Sequence, residues 1–170
     1  MTRLSHRLLC SMIATAAVLL PVATFAHPSP PTGETAAQPL VGRAAAAARV
    51  VDAFHAALKA GDLSGASNLM APDVLIFEAG GAQRSKADYA AEHLPADAAF
   101  EKDATVRTLH RSGAAVGEIA WIATEGRIEA HAAGKPADRL TTETVILRRT
   151  PEGWRIVHVH WSSRVAPPER

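Results

Sequence analysis

Cysteine is almost absent from this chain of 170 residues: the single thiol, Cys10, lies in an apolar stretch near the start. Beyond it, the chain has no group for a disulfide, a thiolate metal ligand or a cysteine nucleophile. The sequence also lacks a glycine-rich phosphate loop, a G-x-S-x-G elbow and an H-E-x-x-H motif. These absences argue against nucleotide-binding, serine-hydrolase and zinc-protease functions.

Charge of one sign is also lacking. The chain carries 18 basic and 17 acidic residues, so no strong electrostatic field is available to attract a polyanion. This balance argues against nucleic acid or an acidic membrane surface as the partner.

The N-terminus has the pattern of an export signal. Arg3 and Arg7 precede the apolar run LLCSMIATAAVLLPVATFA, which ends in small residues of the kind that a signal peptidase recognises. We therefore predict a signal peptide over residues 1–26, a periplasmic or secreted location, and no stable membrane insertion after cleavage. The proline-rich residues 27–42 are predicted to form a flexible linker.

The remaining chain suits one domain over residues 43–165, followed by a short tail over 166–170. Apolar residues recur at helical spacing from Ala44 until Gly61, and Asp62 can cap a second, short helix that Pro72 ends. These two segments predict a helix hairpin with a shared apolar face.

A strand is predicted over residues 73–78, followed by a third helix that Ser85 caps and Pro95 ends. Four β-rich runs then follow, separated by Ser112-Gly113, by AAGKPA and by TPEG: ATVRTLHR, AAVGEIAWIATEGRIEAH, DRLTTETVILRR and GWRIVHVHWSSR. Helices followed by an antiparallel meander indicate an α+β fold.

The last run contains two histidines at i and i+2. In a regular strand His158 and His160 share one face with Ser162, while Val159 and Trp161 share the other. The paired imidazoles suit general-base and ligand-orienting roles in a pocket, or hydrogen bonding within the sheet or a subunit interface. A metal site would need a third ligand from elsewhere, for which His93 is a candidate, and we predict no metal.

Further polar candidates lie on the third helix and on two strands. His93 follows Tyr89 by four positions and so shares its helix side, although a helix-end histidine can also interact with the last carbonyl groups. Glu78 precedes two glycines, where a carboxylate faces either a cavity mouth or solvent. Glu143 lies in mid-strand and needs a pocket or a cross-strand partner.

Two more side chains are assigned from their type alone. Trp121 is interpreted as a core or interface side chain or as a wall on which a ligand stacks. His55 has no partner that sequence spacing reveals, so it is interpreted as a surface or structural residue.

The order of elements, together with GWRIVHVHWSSR at the end, resembles the nuclear transport factor 2-like superfamily and its SnoaL-like branch. The association domain of calcium/calmodulin-dependent protein kinase II belongs to this superfamily and ends in a similar histidine-aromatic-histidine pattern. The resemblance implies a cone-shaped curved antiparallel sheet wrapped around the helices, an internal cavity and a homodimer. The superfamily includes isomerases, dehydratases, cyclases, binders and assembly domains, so the fold alone does not assign a reaction.

Together these observations predict an exported protein whose cavity binds a small, partly apolar molecule without a cofactor. An acid/base enzyme and an assembly module are the alternatives. The predicted ligand-binding residues are His158, His160, Ser162, His93, Tyr89, Glu78, Glu143 and Trp121, of which His158, His160 and Glu78 are also the candidates for catalysis.

Overall fold

The computed structural model describes residues 39–132 and 135–167, and its first element is a helix that the alanine-rich sequence favours. Helix α1 (Gly42–Ala60) ends at Gly61, whose φ of 71° is in the left-handed region where glycine is favoured. Helix α2 (Leu63–Asn68) begins where the Asp62 carboxylate accepts a hydrogen bond from the backbone N–H of Gly65. The predicted helix hairpin is therefore confirmed. The predicted signal peptide and the linker up to residue 38 lie outside the described residues.

Six strands and two further helices complete the described chain. In order these are β1 (Met70–Glu78), β2 (Gly81–Gln83), α3 (Lys86–Glu92), α4 (Leu94–Asp103), β3 (Thr105–Val116), β4 (Ile119–Ala132), β5 (Lys135–Thr150) and β6 (Gly153–Val165). None of the described helices is long and apolar enough to cross a membrane.

The strands form one curved, unclosed sheet in the order β2-β1-β6-β5-β4-β3. The meander from β3 to β6 is antiparallel, as predicted, but β1 pairs with β6 in parallel. A parallel pair needs a long connection, which the chain between β1 and β6 supplies. The α+β prediction is confirmed, and the sheet is mixed.

Several boundaries differ from the sequence prediction. Pro72 does not end the second helix: α2 ends at Asn68, and Pro72 lies inside β1, which begins at Met70 and not at residue 73. Pro95 does not end the third helix; it occupies the first turn of α4, where its missing N–H removes no helical hydrogen bond. Strand β3 continues through Ser112 and Gly113, and the turn comes at Gly117, whose φ of 57° is in the left-handed region.

The hydrophobic core lies between α1 and the concave face of the sheet. Val51, Phe54 and Leu58 of α1 are fully buried. Beneath them, one residue from each of five strands forms a cross-strand row that we call the apolar row: Gly113, Ile122, Val145, Val159 and Ile76. Its four large side chains are buried to 1% exposure or less, which contributes about 1.5–3 kcal/mol each.

Strand β6 contains a β-bulge that changes which of its residues face inward. Register with β5 shifts between Ile156 and His158, and Val157 is the extra residue. Trp154 and Ile156 face the core before the bulge, and Val159 faces it after the bulge. An uninterrupted strand would instead have placed His158 and His160 on the same face as Trp154.

Candidate functional site

The row next to the apolar row is polar, although it also lies on the inner face of the sheet. It joins Arg111, Thr124, Glu143, Trp161 and Glu78 across the same five strands, and we call it the polar row. Moving two residues along each strand therefore changes the inner surface from apolar to polar, with three ionisable side chains. Such a change suits a site more than a core, because buried charges cost free energy unless they are compensated.

All five residues of the polar row line a cavity of about 590 Å³. Apolar walls come from Leu58, Phe100, Val106, Ile128 and Trp161. Five residues with hydroxyl groups are also among the lining: Thr108, Thr124, Thr141, Ser162 and Ser163. The ionisable lining residues are Asp52, His55, Glu78, Asp97, Glu101, Arg111, Arg139 and Glu143.

The imidazole of His55 joins two of the cavity carboxylates. Its Nδ1 donates to Glu101 Oε1 at 2.8 Å and its Nε2 donates to Glu143 Oε2 at 2.7 Å. The indole Nε1 of Trp161 donates to the same Glu143 oxygen at 2.7 Å. We call Glu101, His55 and Glu143 the His55 bridge; it connects α4, α1 and β5.

The His55 bridge fixes the charge states of its members. Burial opposes a charged imidazole, but the hydrogen bonds and charges of Glu101 and Glu143 outweigh it and raise the pKa of His55 to about 10. Burial likewise opposes ionisation of Glu143, yet His55, Trp161 and the charge of Arg111 hold the pKa of Glu143 below its ordinary value. At neutral pH the bridge therefore contains an imidazolium ion between two carboxylates, and His55 is not a free base.

A second group of carboxyls lies at the β1 end of the polar row. The hydroxyl of Tyr89 donates to Asp97 Oδ2 at 2.7 Å. Burial and the charge of Asp97 raise the pKa of Glu78, against the opposing effect of His93. Burial also raises the pKa of Asp97, although the Tyr89 hydrogen bond opposes it. Glu78 therefore holds its proton to a higher pH than Glu143 does.

Two arginines complete the lining. Arg111 donates to Asp52 Oδ1 at 2.5 Å and to Thr124 Oγ1 at 3.1 Å, and Arg139 donates to Ser163 Oγ at 2.9 Å. Within the described part of the chain, no group of three or more His, Cys, Asp and Glu side chains is arranged to hold a metal ion.

Three of the predicted ligand-binding residues line the cavity: Glu78, Glu143 and Ser162. Tyr89 lies behind the wall, buried to 1% exposure, and reaches the cavity through its hydrogen bond to Asp97. The other four predicted residues, His93, Trp121, His158 and His160, are not among its lining side chains.

The bulge explains the position of the histidine pair and corrects the expectation that these rings enter the cavity. Val159 and Trp161 take the inward positions, so His158 and His160 lie on the outer face of the sheet, against Phe77 at ring-centroid distances of 5.3 and 6.3 Å. His158 Nδ1 donates to the carbonyl oxygen of Leu75 at 2.8 Å.

The two remaining candidates also differ from the expectation of a cavity contact. Trp121 lies on the outer face and is 42% exposed. His93 Nδ1 accepts a hydrogen bond from the side-chain amide of Gln83 at 2.8 Å, at the junction of α3 and α4.

Sequence reasoning missed His55, Asp97, Glu101 and Arg111. Asp97 and Glu101 are four residues apart on α4, so they share a helix face, but that helix was not predicted because Pro95 was taken as a stop. His55 was interpreted as a surface or structural residue because its partners are 46 and 88 residues away in sequence. The sequence signal that could have identified part of this group was the pair Asp97 and Glu101, two acids at helical spacing after Pro95.

Comparison with known proteins identifies the fold of the chain but does not identify a ligand. The family model described as the SnoaL-like domain matches residues 47–166. No functionally curated protein matches the chain.

Several solved structures are similar. A Shewanella frigidimarina NCIMB 400 protein, provisionally assigned as a ketosteroid isomerase, is 35% identical over 71% of this chain and 98% of its own, with a TM-score of 0.66. A provisionally assigned dehydratase of the nuclear transport factor 2-like family from Streptomyces avermitilis is 20% identical over 72% and 96%, with a TM-score of 0.63. The calcium/calmodulin-dependent protein kinase II hub of S. rosetta is 21% identical over 74% and 99%, with a TM-score of 0.62. The last two show the shared fold only.

The His55 bridge predicts a defined pH dependence of stability. Replacing His55 with Gln leaves two partly buried carboxylates without their cation, and we expect the free energy of unfolding to fall by about 3 kcal/mol near neutral pH. His55 has a raised pKa, so its contribution is complete below its ordinary pKa of 6.5 and disappears as pH rises toward about 10. Glu143 has a lowered pKa, so its contribution is complete above 4.5 and disappears as pH falls.

The difference in the free energy of unfolding between wild type and His55→Gln should therefore be largest between pH 4.5 and 6.5. It should become smaller at lower and at higher pH. Urea denaturation at a series of pH values measures it. His110→Gln, on the outer face of the sheet, is the control and should change stability by less than about 0.5 kcal/mol. A pH-independent loss for His55→Gln would contradict the charge assignment.

Proposed function

The chain belongs to the family of SnoaL-like domains, and from this premise we propose that it is an exported protein whose cavity binds one small, partly apolar molecule. The observation that carries the proposal is the cavity of about 590 Å³, which lies within the range of roughly 300–1,000 Å³ typical of small-molecule sites. Export is supported by the signal-like pattern of residues 1–26.

The lining indicates what kind of molecule fits. Phe100, Val106 and Ile128 offer apolar contact, whereas the polar row and the threonine residues of the lining offer hydrogen bonds. A ligand with an apolar body and at least one polar group satisfies both surfaces, because an unpaired polar group on either side would cost binding free energy. A purely ionic ligand would leave the apolar wall without a partner.

Binding is tested with N-phenyl-1-naphthylamine, whose fluorescence rises in an apolar environment. We expect saturable binding of one probe per chain, and Val106→Trp, which fills part of the cavity, should weaken it at least tenfold. Val116→Trp is the matched control: it makes the same change in the same strand, at a valine outside the cavity lining, and should leave the affinity within about twofold. Equal effects of the two changes would reject the cavity as the probe site.

A second candidate function is acid/base catalysis of the isomerase or dehydratase kind. Glu143 and Glu78 lie in the polar row on opposite sides of Trp161, and their environments shift their pKa values in opposite directions. An ionised carboxylate that accepts a proton and a protonated carboxyl that donates one are what such chemistry needs. The provisional assignment of the similar Shewanella protein supports this candidate.

This candidate requires that the two carboxyls titrate apart. In a ¹³C NMR titration of the side-chain carboxyl carbons, Glu143 should ionise below its ordinary pKa of 4.5 and Glu78 above it. Asp97→Asn removes a charge that raises the pKa of Glu78, so this variant should lower the Glu78 midpoint and leave that of Glu143 in place. Coincident midpoints for Glu78 and Glu143 would remove the basis for acid/base catalysis.

The outer face of the sheet supports a proposal of self-association. Val116, Ile119 and Trp121 are 79%, 45% and 42% exposed, and Trp121 pairs in register with Ala114 and Ile146. A contiguous apolar surface of this kind indicates an interaction site. The likeness to a kinase hub domain supports a homodimer as the assembly, with His158 and His160 near the contact.

Sedimentation velocity at several concentrations tests the homodimer. Wild type should shift from monomer to dimer with increasing concentration, and Trp121→Glu should weaken the association at least tenfold by placing a charge in an apolar contact. Val41→Glu introduces the same charge at an exposed apolar residue before α1 and should have no effect. A monomeric mass for wild type at every concentration would reject the dimer.

A further inference from the structure

We propose that Glu143 is the group that recognises the cavity ligand, that His55 is its positioning residue, and that the ligand donates an N–H or O–H to Glu143 Oε1. This inference rests on the proposed function, since it requires that the cavity binds a molecule, and it deepens that function by naming the chemical class of the ligand.

The hydrogen bonds of Glu143 are unevenly shared between its two oxygens. His55 Nε2 and Trp161 Nε1 both donate to Oε2, each at 2.7 Å, and no hydrogen bond joins Oε1 to the described part of the protein. The side chain is only 9% exposed. Among the described residues, however, no fully enclosed side-chain nitrogen or oxygen lacks a hydrogen-bond partner. Oε1 is therefore accessible, and the space beside Glu143 is the cavity that it lines.

The orientation of Oε1 is fixed before any ligand arrives. His55 is held on its other side by Glu101 of α4, and the Trp161 ring stacks on Phe54 of α1 at 6.4 Å between centroids and 14° between planes. Three elements therefore hold one carboxylate from different directions. A ligand group meeting Oε1 avoids most of the cost of ordering that side chain, which favours specific binding.

An ionised carboxylate accepts hydrogen bonds and donates none, so Oε1 selects a donor. Three of the lining acids, Asp52, Glu101 and Glu143, are already paired with the cations Arg111 and His55, so the unused acceptor of Glu143, and not the net charge of the lining, decides the class. An ammonium group brings both a donor and compensating charge, an alcohol brings a donor alone, and an organic acid brings repulsion. The ligand is therefore an amine or an alcohol with an apolar body, not an organic acid.

Four probes of one size separate these classes: benzylamine, benzyl alcohol, toluene and benzoate. Each is titrated into the purified protein at pH 7 and followed by ¹H–¹⁵N NMR, with the shifts of the cavity-lining amides as the readout. Benzylamine should bind at least tenfold more tightly than toluene, benzyl alcohol should fall between them, and benzoate should bind least. This order distinguishes a charged donor from a neutral one.

Variants then assign the preference to the proposed residues. Glu143→Gln is close to isosteric and should abolish the tenfold advantage of benzylamine over toluene. Glu118→Gln makes the same chemical change at a glutamate that is 67% exposed and lies outside the cavity lining, so it should alter the benzylamine affinity by less than twofold. Thermal unfolding of both variants establishes that they fold. If Glu143→Gln does not fold, the order of the four probe affinities in wild type still tests whether the cavity prefers a hydrogen-bond donor.

The positioning role of His55 has its own readout. In wild type, His55 keeps Glu143 ionised well into acidic pH, so His55→Gln should move the pH at which benzylamine binding is half lost to a higher value. His55→Lys restores a cation and should return that pH part of the way toward wild type. A purely structural role would weaken binding without moving this midpoint, and that result would overturn the assignment of His55.

The remaining outcomes separate this inference from the proposed function. Equal binding of benzoate and benzylamine, or binding of toluene with no preference for a donor, would overturn the inference and leave cavity binding intact. If N-phenyl-1-naphthylamine binds in the cavity and none of the four probes does, the inference also fails alone. If no probe of either kind binds, both the inference and the proposed function are rejected.

Discussion

Carboxylates cannot be placed inside a protein without compensation, and this constraint governs the arrangement of the whole cavity. Glu143 sits in a central strand, one row from a fully buried aliphatic core, where an unpaired charge would cost several kcal/mol. His55 supplies the cation from α1 and is itself held by Glu101 of α4. The His55 side chain therefore connects α1 to α4 and to the sheet. Its ion pairs hold these elements, which form the cavity walls, in their relative positions.

The boundary between core and cavity follows from the period of the strands. Along β5, Val145 belongs to the apolar row and Glu143 to the polar row, and along β6, Val159 and Trp161 make the same change. Inward-facing residues are two positions apart along a strand, so the change from apolar to polar occurs between one inward-facing residue and the next. The apolar row packs against Phe54 and Leu58 of α1. This packing fixes the strands, and therefore also holds the backbone of the neighbouring polar row in place. Side chains that line a cavity next to a packed core need little further support to stay in place.

Much of the fold could be predicted from the sequence because its signals are local. Gly61, Asp62 and Ser85 act as helix caps in the structure as their residue types indicate, and the β-rich runs after Ala104 form the predicted meander. The site was less accessible, because its residues come together only through tertiary packing. Glu78, Glu143 and Ser162 were identified as polar residues in or beside strands, whereas His55 was not, since both of its partners are remote in sequence.

The histidine pair shows why the two-residue period of a strand was not enough to predict which side chains face the cavity. Alternation correctly places His158 and His160 on one face, but the face is decided by a single extra residue, Val157, which the sequence does not mark with glycine or proline. Without the bulge, both imidazoles would replace Val159 and Trp161 on the inner face, and Glu143 would lose the indole N–H that it accepts. The bulge thus does two things at once: it presents a hydrogen-bond donor to the cavity carboxylate, and it leaves the two histidines on the surface proposed for self-association. Within β6, this one residue determines which side chains face the cavity and which lie on the outer face of the sheet.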